Sequence, residues 1–519
     1  MVNEKYQLWC EKAVADPDLV KELESMKDDG AAISDAFYKD LEFGTGGLRG
    51  VIGAGTNRMN IYTVGKASQG LAAYVNSVKQ NGKIAVAYDS RIKSELFART
   101  AASVFAANGI KVYIYKELMP TPMLSYAVRR LGCDAGVVVT ASHNPAKYNG
   151  YKAYGPDGCQ LGLEAADYVL SIMNKVDIFD EVKTVDFDTA VKNGSIEFIG
   201  DDVIEDYLNC VLACRVAPEA DVKSLKVIYT PLHGSGNKPV RSILRKIGVK
   251  NVTVVPEQEM PNGNFPTAPY PNPEIRQAFE CALKLAETVK PDLLLATDPD
   301  CDRVGIAVNT GDDYKLLSGN DVGALLLDFV LSRRKANGTL PKKPIAVKTI
   351  VTTELCRKIA ADYGCELRDI TRYCDSFTIC LSKGLGAPVG SLLVGSEEYI
   401  RRAIRWRKMV GGGMRQAGIL AAAGLYALQN NVARLKEDHD NAAWMAEQLR
   451  AVGADVMRHD TNMLFVRVGE ARATALGEYL RERGVLINAS PIVRLVTHID
   501  VNRQQLAEVV SHWQAFLNR

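Results

Sequence analysis

Residues 135–145, Ala135-Gly136-Val137-Val138-Val139-Thr140-Ala141-Ser142-His143-Asn144-Pro145, decide how this chain is to be read. The apolar run 135–139 has the length and valine content of a buried strand, so strand gives way to loop just ahead of Ser142. Such positions are a usual place for chemistry. A hydroxyl there gains meaning if another stretch handles charge beside it. Asp298-Pro299-Asp300-Cys301-Asp302-Arg303 offers three carboxylates at alternate positions after a second apolar run, 293–297. Three hard oxygen ligands on a tight loop suit a divalent ion such as magnesium; solvated turn chemistry is the common alternative for an Asp-rich turn.

Around Ser142 the pattern alternates. Periodicity predicts a helix over 66–78, a strand over 84–87, a helix over 95–108, a strand over 111–115 and a helix over 123–131, with Gly109, Pro120 and Pro122 at the breaks. Residues 140–158, rich in Asn, Gly, Pro and Lys, read as a loop holding Lys152 close to the serine. Upstream, residues 1–40 read as an amphipathic helix pair. Phe43-Gly44-Thr45-Gly46-Gly47-Leu48-Arg49-Gly50 then sets four glycines around Arg49, so that backbone amides and a guanidinium can approach an anion. A flexible turn is the alternative there.

A second unit begins near Asp201, with a strand over 226–229, the stretch Thr230-Pro231-Leu232-His233-Gly234-Ser235-Gly236-Asn237 and a helix over 240–247. His233 is a candidate phosphate contact, although a lone loop histidine is more often structural. A third unit starts near Leu316, with a helix over 321–334, a strand over 345–350 and a helix over 353–363. Past Leu367 the texture changes. A strand near 376–381 delivers Lys383 into a glycine-containing turn, a basic stretch over 401–408 runs into Gly411-Gly412-Gly413-Met414-Arg415, and a long helical region covers 416–452. A strand over 462–468, a helix over 473–483 and a helix from about Arg503 complete the chain.

At 519 residues the chain should hold three or four domains, at roughly 150 residues each. With 63 basic against 61 acidic residues, a net +2, nothing in the global charge calls for nucleic acid or an anionic membrane as partner. The N-terminus lacks signal-peptide features and no apolar run is long enough to span a bilayer, so the expectation is a cytoplasmic protein. The 11 cysteines, among them Cys210, Cys214, Cys356 and Cys380, lack paired metal spacing and read as reduced core thiols.

Taken together, Phe43 to Gly50, Thr140 to Pro145, Asn149-Gly150-Tyr151-Lys152, Thr230 to Asn237 and Asp298 to Arg303 resemble the α-D-phosphohexomutase superfamily, in particular its phosphoglucomutase and phosphopentomutase branch, over about residues 1–365. The resemblance implies that Ser142 is the phosphorylated nucleophile and that Asp298, Asp300 and Asp302, with the Ser142 oxygen, hold Mg2+. It further implies that Arg49 and Arg303 steady the phosphoryl oxygens, that Lys152 or His143 moves a proton, and that sugar 1-phosphates are isomerised through a bisphosphate. The pattern then breaks, because neither the Glu-Glu-Ser-type sugar loop nor the Ser-Gly-Thr phosphate clamp of that family is found; Ser396-Glu397-Glu398-Tyr399 has similar composition in another context.

Residues from about 364 to 519 resemble the low-specificity L-threonine aldolases, fold-type I pyridoxal phosphate enzymes, in the stretches from Cys374 to Gly395, Arg405 to Leu428, Asp438 to Leu449 and Asn488 to His498. That resemblance implies a pyridoxal 5'-phosphate Schiff base on Lys383, Arg415 reaching the cofactor phosphate of a neighbouring subunit, Arg494 on the substrate carboxylate, and homo-oligomer contacts through this region. The family's upstream part, with the aspartate that pairs with the pyridine nitrogen, is missing from the sequence. The expectation is therefore a chimera of α/β class: multi-domain phosphohexomutase-like mixed sheets flanked by helices, followed by a truncated aldolase-like α/β region. The expected domains are 1–200 (serine loop), 201–310 (metal loop), 311–366 (partial third domain), 367–430 (partial aldolase-like large domain) and 431–519 (aldolase-like small domain). Phosphosugar mutase chemistry, impaired by the lost loops, leads; threonine aldolase activity or a non-catalytic fusion is the alternative.

Overall fold

The computed structural model describes residues 2–44, 46–311, 313–349, 352–369, 376–395, 397–409 and 413–519. Thr45, Ile350, Cys374, Ser396, Gly411 and Gly412 of the stretches above lie outside the described residues. By its contacts the chain divides into two compact units, residues 1–345 with 352–366, and residues 346–351 with 367–519.

The first unit opens with three helices where a pair was expected, Val2–Lys12, Pro17–Ser25 and Gly30–Phe37. Two aspartates create the extra break. Asp16 accepts from the Asp18 amide ahead of Pro17, and Asp29 accepts from the amides of Ala31 and Ala32, so each side chain satisfies donors that a helix start leaves open. Trp9 and Phe37 pack edge to face in the core of this cap.

A six-stranded sheet follows, built from β1 (Leu48–Val51), β2 (Lys83–Tyr88), β3 (Lys111–Ile114), β4 (Ala135–Val139), β5 (Tyr148–Tyr154) and β6 (Ile196–Phe198), in the order β1-β5-β4-β2-β3-β6. β4, β2, β3 and β6 are parallel; β5 runs antiparallel to β4, and β1 antiparallel to β5. Side chains alternate between two apolar layers: Ile84, Val86, Val137 and Val139 face one core, and Ala85, Ala87 and Val138 face the other. The helix Ile61–Val78 supports the first layer and starts from a capping box between Asn60 and Thr63.

One expectation fails in this sheet. Residues 148–154, read as loop, are β5, and Lys152 sits on a strand. Asn149-Gly150 looks like a turn in isolation, but the Asn149 amide donates to Ile92 O and Ser94 Oγ, both at 3.0 Å, so its polarity is satisfied inside the sheet.

The second sheet has the order β11-β10-β9-β7-β8, from β7 (Lys226–Thr230), β8 (Asn251–Val254), β9 (Leu293–Thr297), β10 (Val304–Asn309) and β11 (Tyr314–Leu317). The helix Asp201–Ala213 opens where a second unit was expected. Beyond β11 come the helices Gly319–Ala336 and Leu355–Asp362. In the remainder, β12 (Ile345–Lys348) pairs with β13 (Glu366–Asp369), and β14 (Ser376–Cys380) with β15 (Ser391–Gly395). β16 (Asp455–Asp460), β17 (Met463–Arg467) and β18 (Ile492–Val496) form an antiparallel sheet covered by the helices Leu435–Ala451, Glu470–Arg481 and Arg503–Leu517. The helical region expected over 416–452 is two helices, Gly418–Asn430 and Leu435–Ala451.

The ten described cysteines are free, and Cys210 and Cys214 are exposed rather than in a core. Among the described residues no helix is long and apolar enough to cross a membrane. Burial is uneven. The first sheet is dry on both faces, whereas Leu325, Leu326 and Phe329 on one helix, Ile404, Trp406 and Met409 on another, and Ile419 at 84% exposure all meet solvent. Limited proteolysis should therefore cut first within residues 311–430 and leave a resistant N-terminal fragment; a first cut within residues 1–200 would contradict this reading.

Candidate active site

The parallel register of β2 and β4 pairs Tyr88 with Val139, so the two strands end level. Asp89-Ser90-Arg91 and Thr140-Ala141-Ser142 therefore emerge side by side. Thr140 Oγ1 donates to Asp89 Oδ2 at 2.7 Å and accepts the Ser142 amide at 2.8 Å. Arg91, with its side chain fully buried, donates to the carbonyls of Ser142 and Asn144 and, at 3.1 and 3.0 Å, to those of Pro145 and Tyr148. Ser142 takes φ +53°, a left-handed conformation costing about 1–3 kcal/mol for a residue other than glycine. The bonds around it offset that strain.

β9 ends at Thr297 and releases the aspartate loop against the serine. Ser142 Oγ donates to Asp298 Oδ2 at 2.8 Å, while Asp298 Oδ1 accepts the amides of Asp302 and Arg303 at 3.1 and 3.0 Å. Asp300 Oδ2 accepts from Thr121 Oγ1 at 2.9 Å and from Lys152 Nζ at 2.8 Å, and Lys152 Nζ lies 3.2 Å from Asp302. Burial, then the like charges of Asp300 and Asp302, push the Asp298 carboxyl well above its ordinary range. Burial works against ionisation of Asp300 too, but Lys152 outweighs it and holds that carboxyl below its ordinary value. For Lys152 the opposing burial is overcome by Asp300 and Asp302, which raise the ammonium. His143 Nδ1 stands 3.2 Å from Ser142 Oγ, and burial, then Arg303 and Arg49, lower its pKa and favour the neutral ring. Arg49, on β1, and Arg303 are exposed.

One oxygen from each of Asp298, Asp300 and Asp302 lies within 4.8 Å of the others. Asp300 Oδ1 is buried without a hydrogen-bond partner. An all-oxygen set with an orphaned acceptor, faced by a single lysine, fits a divalent cation such as magnesium.

His233 is a correction. Its ring is buried and both nitrogens are committed, Nδ1 to Met260 O at 3.1 Å and Nε2 to Thr267 Oγ1 at 3.0 Å, so it is not free to touch a phosphate. The stretch it belongs to underpins the aspartate loop instead. A Cβ on Gly234 would come within 2.5 Å of Pro299 Cα, and Ser235 donates to Pro299 O through both its amide (2.8 Å) and its hydroxyl (2.9 Å). Asp89, Arg91, Thr121 and Thr140 were not anticipated. The Asp89-Ser90-Arg91 trio follows an apolar run just as Ser142 does, and that parallel was the available signal; Thr121 meets a partner 179 residues away and gave none.

In the second unit Lys383 lies in an exposed turn after β14, its carbonyl accepting from His498 Nε2 at 2.8 Å. Arg494 on β18 and Arg415 ahead of the helix Gly418–Asn430 are exposed as well. No hydrogen bond or ion pair among the described residues joins either arginine to Lys383.

The first unit is thus a two-sheet α/β scaffold that brings a strand-end serine onto a carboxylate triad. Residues 40–178 match the family model for phosphoglucomutase/phosphomannomutase α/β/α domain I and residues 205–311 that for domain II, and these segments carry those two domains. Residues 352–471 match the β-eliminating lyase model, which begins inside the segment expected to be mutase-like. The phosphoglucomutase of Staphylococcus saprophyticus is 37% identical over 331 residues, 64% of this chain and 59% of that protein. The low-specificity L-threonine aldolase of Escherichia coli K12 is 81% identical over 157 residues, 30% of this chain and 47% of that protein. The chain therefore spans less than two thirds of either relative. Two solved structures share the fold: a phosphomannomutase-type protein from Thermus thermophilus (TM-score 0.52, 23% identity, 64% of this chain and 69% of that one) and a phosphoglucomutase/phosphomannomutase family protein from Burkholderia thailandensis (0.50, 16%, 92% and 96%). The chain is a chimera that joins a phosphoglucomutase-like segment to an aldolase-like one.

Removing Lys152 would leave Asp300 buried and uncompensated. In urea unfolding with a chelator present, Lys152→Ala should lower the stability of the first unit by about 3–5 kcal/mol, and added magnesium should recover part of it; an unchanged midpoint would contradict the pairing.

Proposed function

We propose that this chain takes a phosphoryl group from a sugar bisphosphate onto Ser142, the serine-charging half of phosphosugar mutase chemistry. The observation that carries this reading is the 2.8 Å contact from Ser142 Oγ to Asp298 inside the carboxylate triad. In the transfer, the bond from Ser142 Oγ to phosphorus forms as the bond from phosphorus to the sugar oxygen breaks. The serine hydroxyl turns its proton from Asp298 to neutral His143 Nδ1, 3.2 Å away, and the leaving sugar oxygen takes up that proton from the ring, while Lys152 stays charged between Asp300 and Asp302. When bound by Asp298, Asp300, Asp302 and the Ser142 oxygen, magnesium neutralises charge on the phosphoryl oxygens. Arg49 and Arg303 meet the incoming phosphate at the mouth, where guanidinium geometry suits phosphate oxygens. Residues 1–200 and 201–310 act as the two working domains and 311–366 as an incomplete third. The domain matches end at residue 311, and without a clamp for the second phosphate the bisphosphate cannot be held while it reorients, so isomerase turnover should be slight.

Incubation with a hexose 1,6-bisphosphate and magnesium, followed by mass spectrometry, should place one phosphate on Ser142. Ser142→Ala should abolish it and Asp298→Asn should slow it about 10²–10³-fold. An unmodified serine in folded protein would overturn the proposal.

The 81% identity over 157 residues favours a second reading, pyridoxal phosphate chemistry at Lys383. The sequence keeps a lysine for that cofactor but lacks the aspartate that would pair with its pyridine nitrogen. The geometry of this unit alone encloses it poorly, since Lys383, Arg415 and Arg494 are all exposed. Added pyridoxal phosphate should give a Schiff-base absorbance that Lys383→Ala removes, without threonine cleavage; measurable cleavage would show that the truncated site is competent.

A further inference from the structure

We propose that Arg91 is the positioning residue for Ser142, held in register with the aspartate loop by Phe265 of the second sheet's domain. This rests on the reading that Ser142 takes the phosphoryl group. Two terminal nitrogens of Arg91 serve four carbonyls of one loop, those of Ser142, Asn144, Pro145 and Tyr148. The planar fork of a guanidinium can span that set; a single ammonium cannot. Asp89 Oδ2 supplies the countercharge 3.5 Å from Arg91 Nε, and Asp89 is itself fixed by Ser94 Oγ at 2.8 Å and the Arg91 amide at 3.0 Å. The serine's strained backbone is thus held from behind by a group that touches no reacting atom.

The roof over Arg91 comes from the other domain. The Phe265 ring centroid lies 5.1 Å from the guanidinium carbon, and Phe265 is fully buried at φ +46°, a conformation an aromatic residue adopts only where its surroundings enforce it. Its neighbour Gly263 stands so close to the serine domain that a Cβ would come within 2.4 Å of Ile92 N. His233 supplies the enforcement, binding Met260 O and Thr267 Oγ1 on either side of Phe265 while its carbonyl accepts the Asn262 amide at 3.3 Å. The next two residues, Gly234 and Ser235, carry Pro299 of the aspartate loop. One backbone stretch, 233–235, therefore fixes both the ligand loop and the roof of the arginine that aims the serine.

The test uses the full chain with Arg91→Lys and with Phe265→Leu, which keeps the site apolar should the first variant fold poorly. Rates of Ser142 phosphorylation by hexose 1,6-bisphosphate are read together with amide hydrogen exchange. Arg91→Lys should lower the maximal rate about 10²-fold and leave the half-saturating concentration within about threefold of the parent; Phe265→Leu should lower the rate about tenfold. Both should speed exchange across residues 142–148 and leave the helix Ile61–Val78 unchanged. A full maximal rate, unchanged exchange across 142–148, or loosening spread over the whole first sheet would overturn the positioning role. Should the parent chain take no phosphate, the functional reading fails by itself, and exchange decides this inference: loosening confined to 142–148 upholds it and none overturns it.

Discussion

Unbalanced charge in a dry interior is the constraint on which the first unit depends. Asp89, Asp298 and Asp300 are buried and Asp302 adjoins them, against two buried cations, Arg91 and Lys152. Isolated charges in such surroundings are costly, so each must be paired, hydrogen-bonded or neutralised by an ion. The pairings that result also organise the fold. Lys152 on β5 and Thr121 both reach Asp300, so seating the second sheet on the first and composing the site are one event. A carboxylate system left short of positive charge is also one that gains by taking up a divalent ion and a phosphate together.

What the sequence made legible follows from how local each cause is. The apolar runs 135–139 and 293–297 became β4 and β9 at those boundaries, because buried parallel strands advertise themselves by composition. The serine and the three aspartates were found because each follows such a run directly. β5 was missed because Asn149 and Gly150 carry a turn signature that only their partners on neighbouring segments cancel. His233 was misread for a similar reason: its partners, Met260 and Thr267, lie in another loop, and nothing at position 233 announces them. Arg91 is the informative omission, a charge at a strand end whose task is to hold backbone instead of substrate.

The two halves differ in how far their candidate residues are enclosed, and that difference runs against residue identity. The aldolase-like segment is by far the closer to its relative in letters, 81% identical against 37%, yet its lysine stands in water. Its unit possesses a core from Ala442 through Leu464 and Leu480 to Trp513 under the three-stranded sheet, and a smaller one of Leu381, Leu385, Ala387 and Ala427 at the turn of Lys383, yet the Lys383 side chain itself is exposed. The mutase-like segment, at lower identity, retains the strands on both sides of its serine and the domain that supplies the opposing carboxylates. Serine, triad, arginine clamp and phenylalanine roof all fall between β1 and β10, each placed by contacts made within that span. A site assembled in one self-contained piece of fold has its geometry set within that piece, whereas a site that shares walls with other segments depends on them for its enclosure.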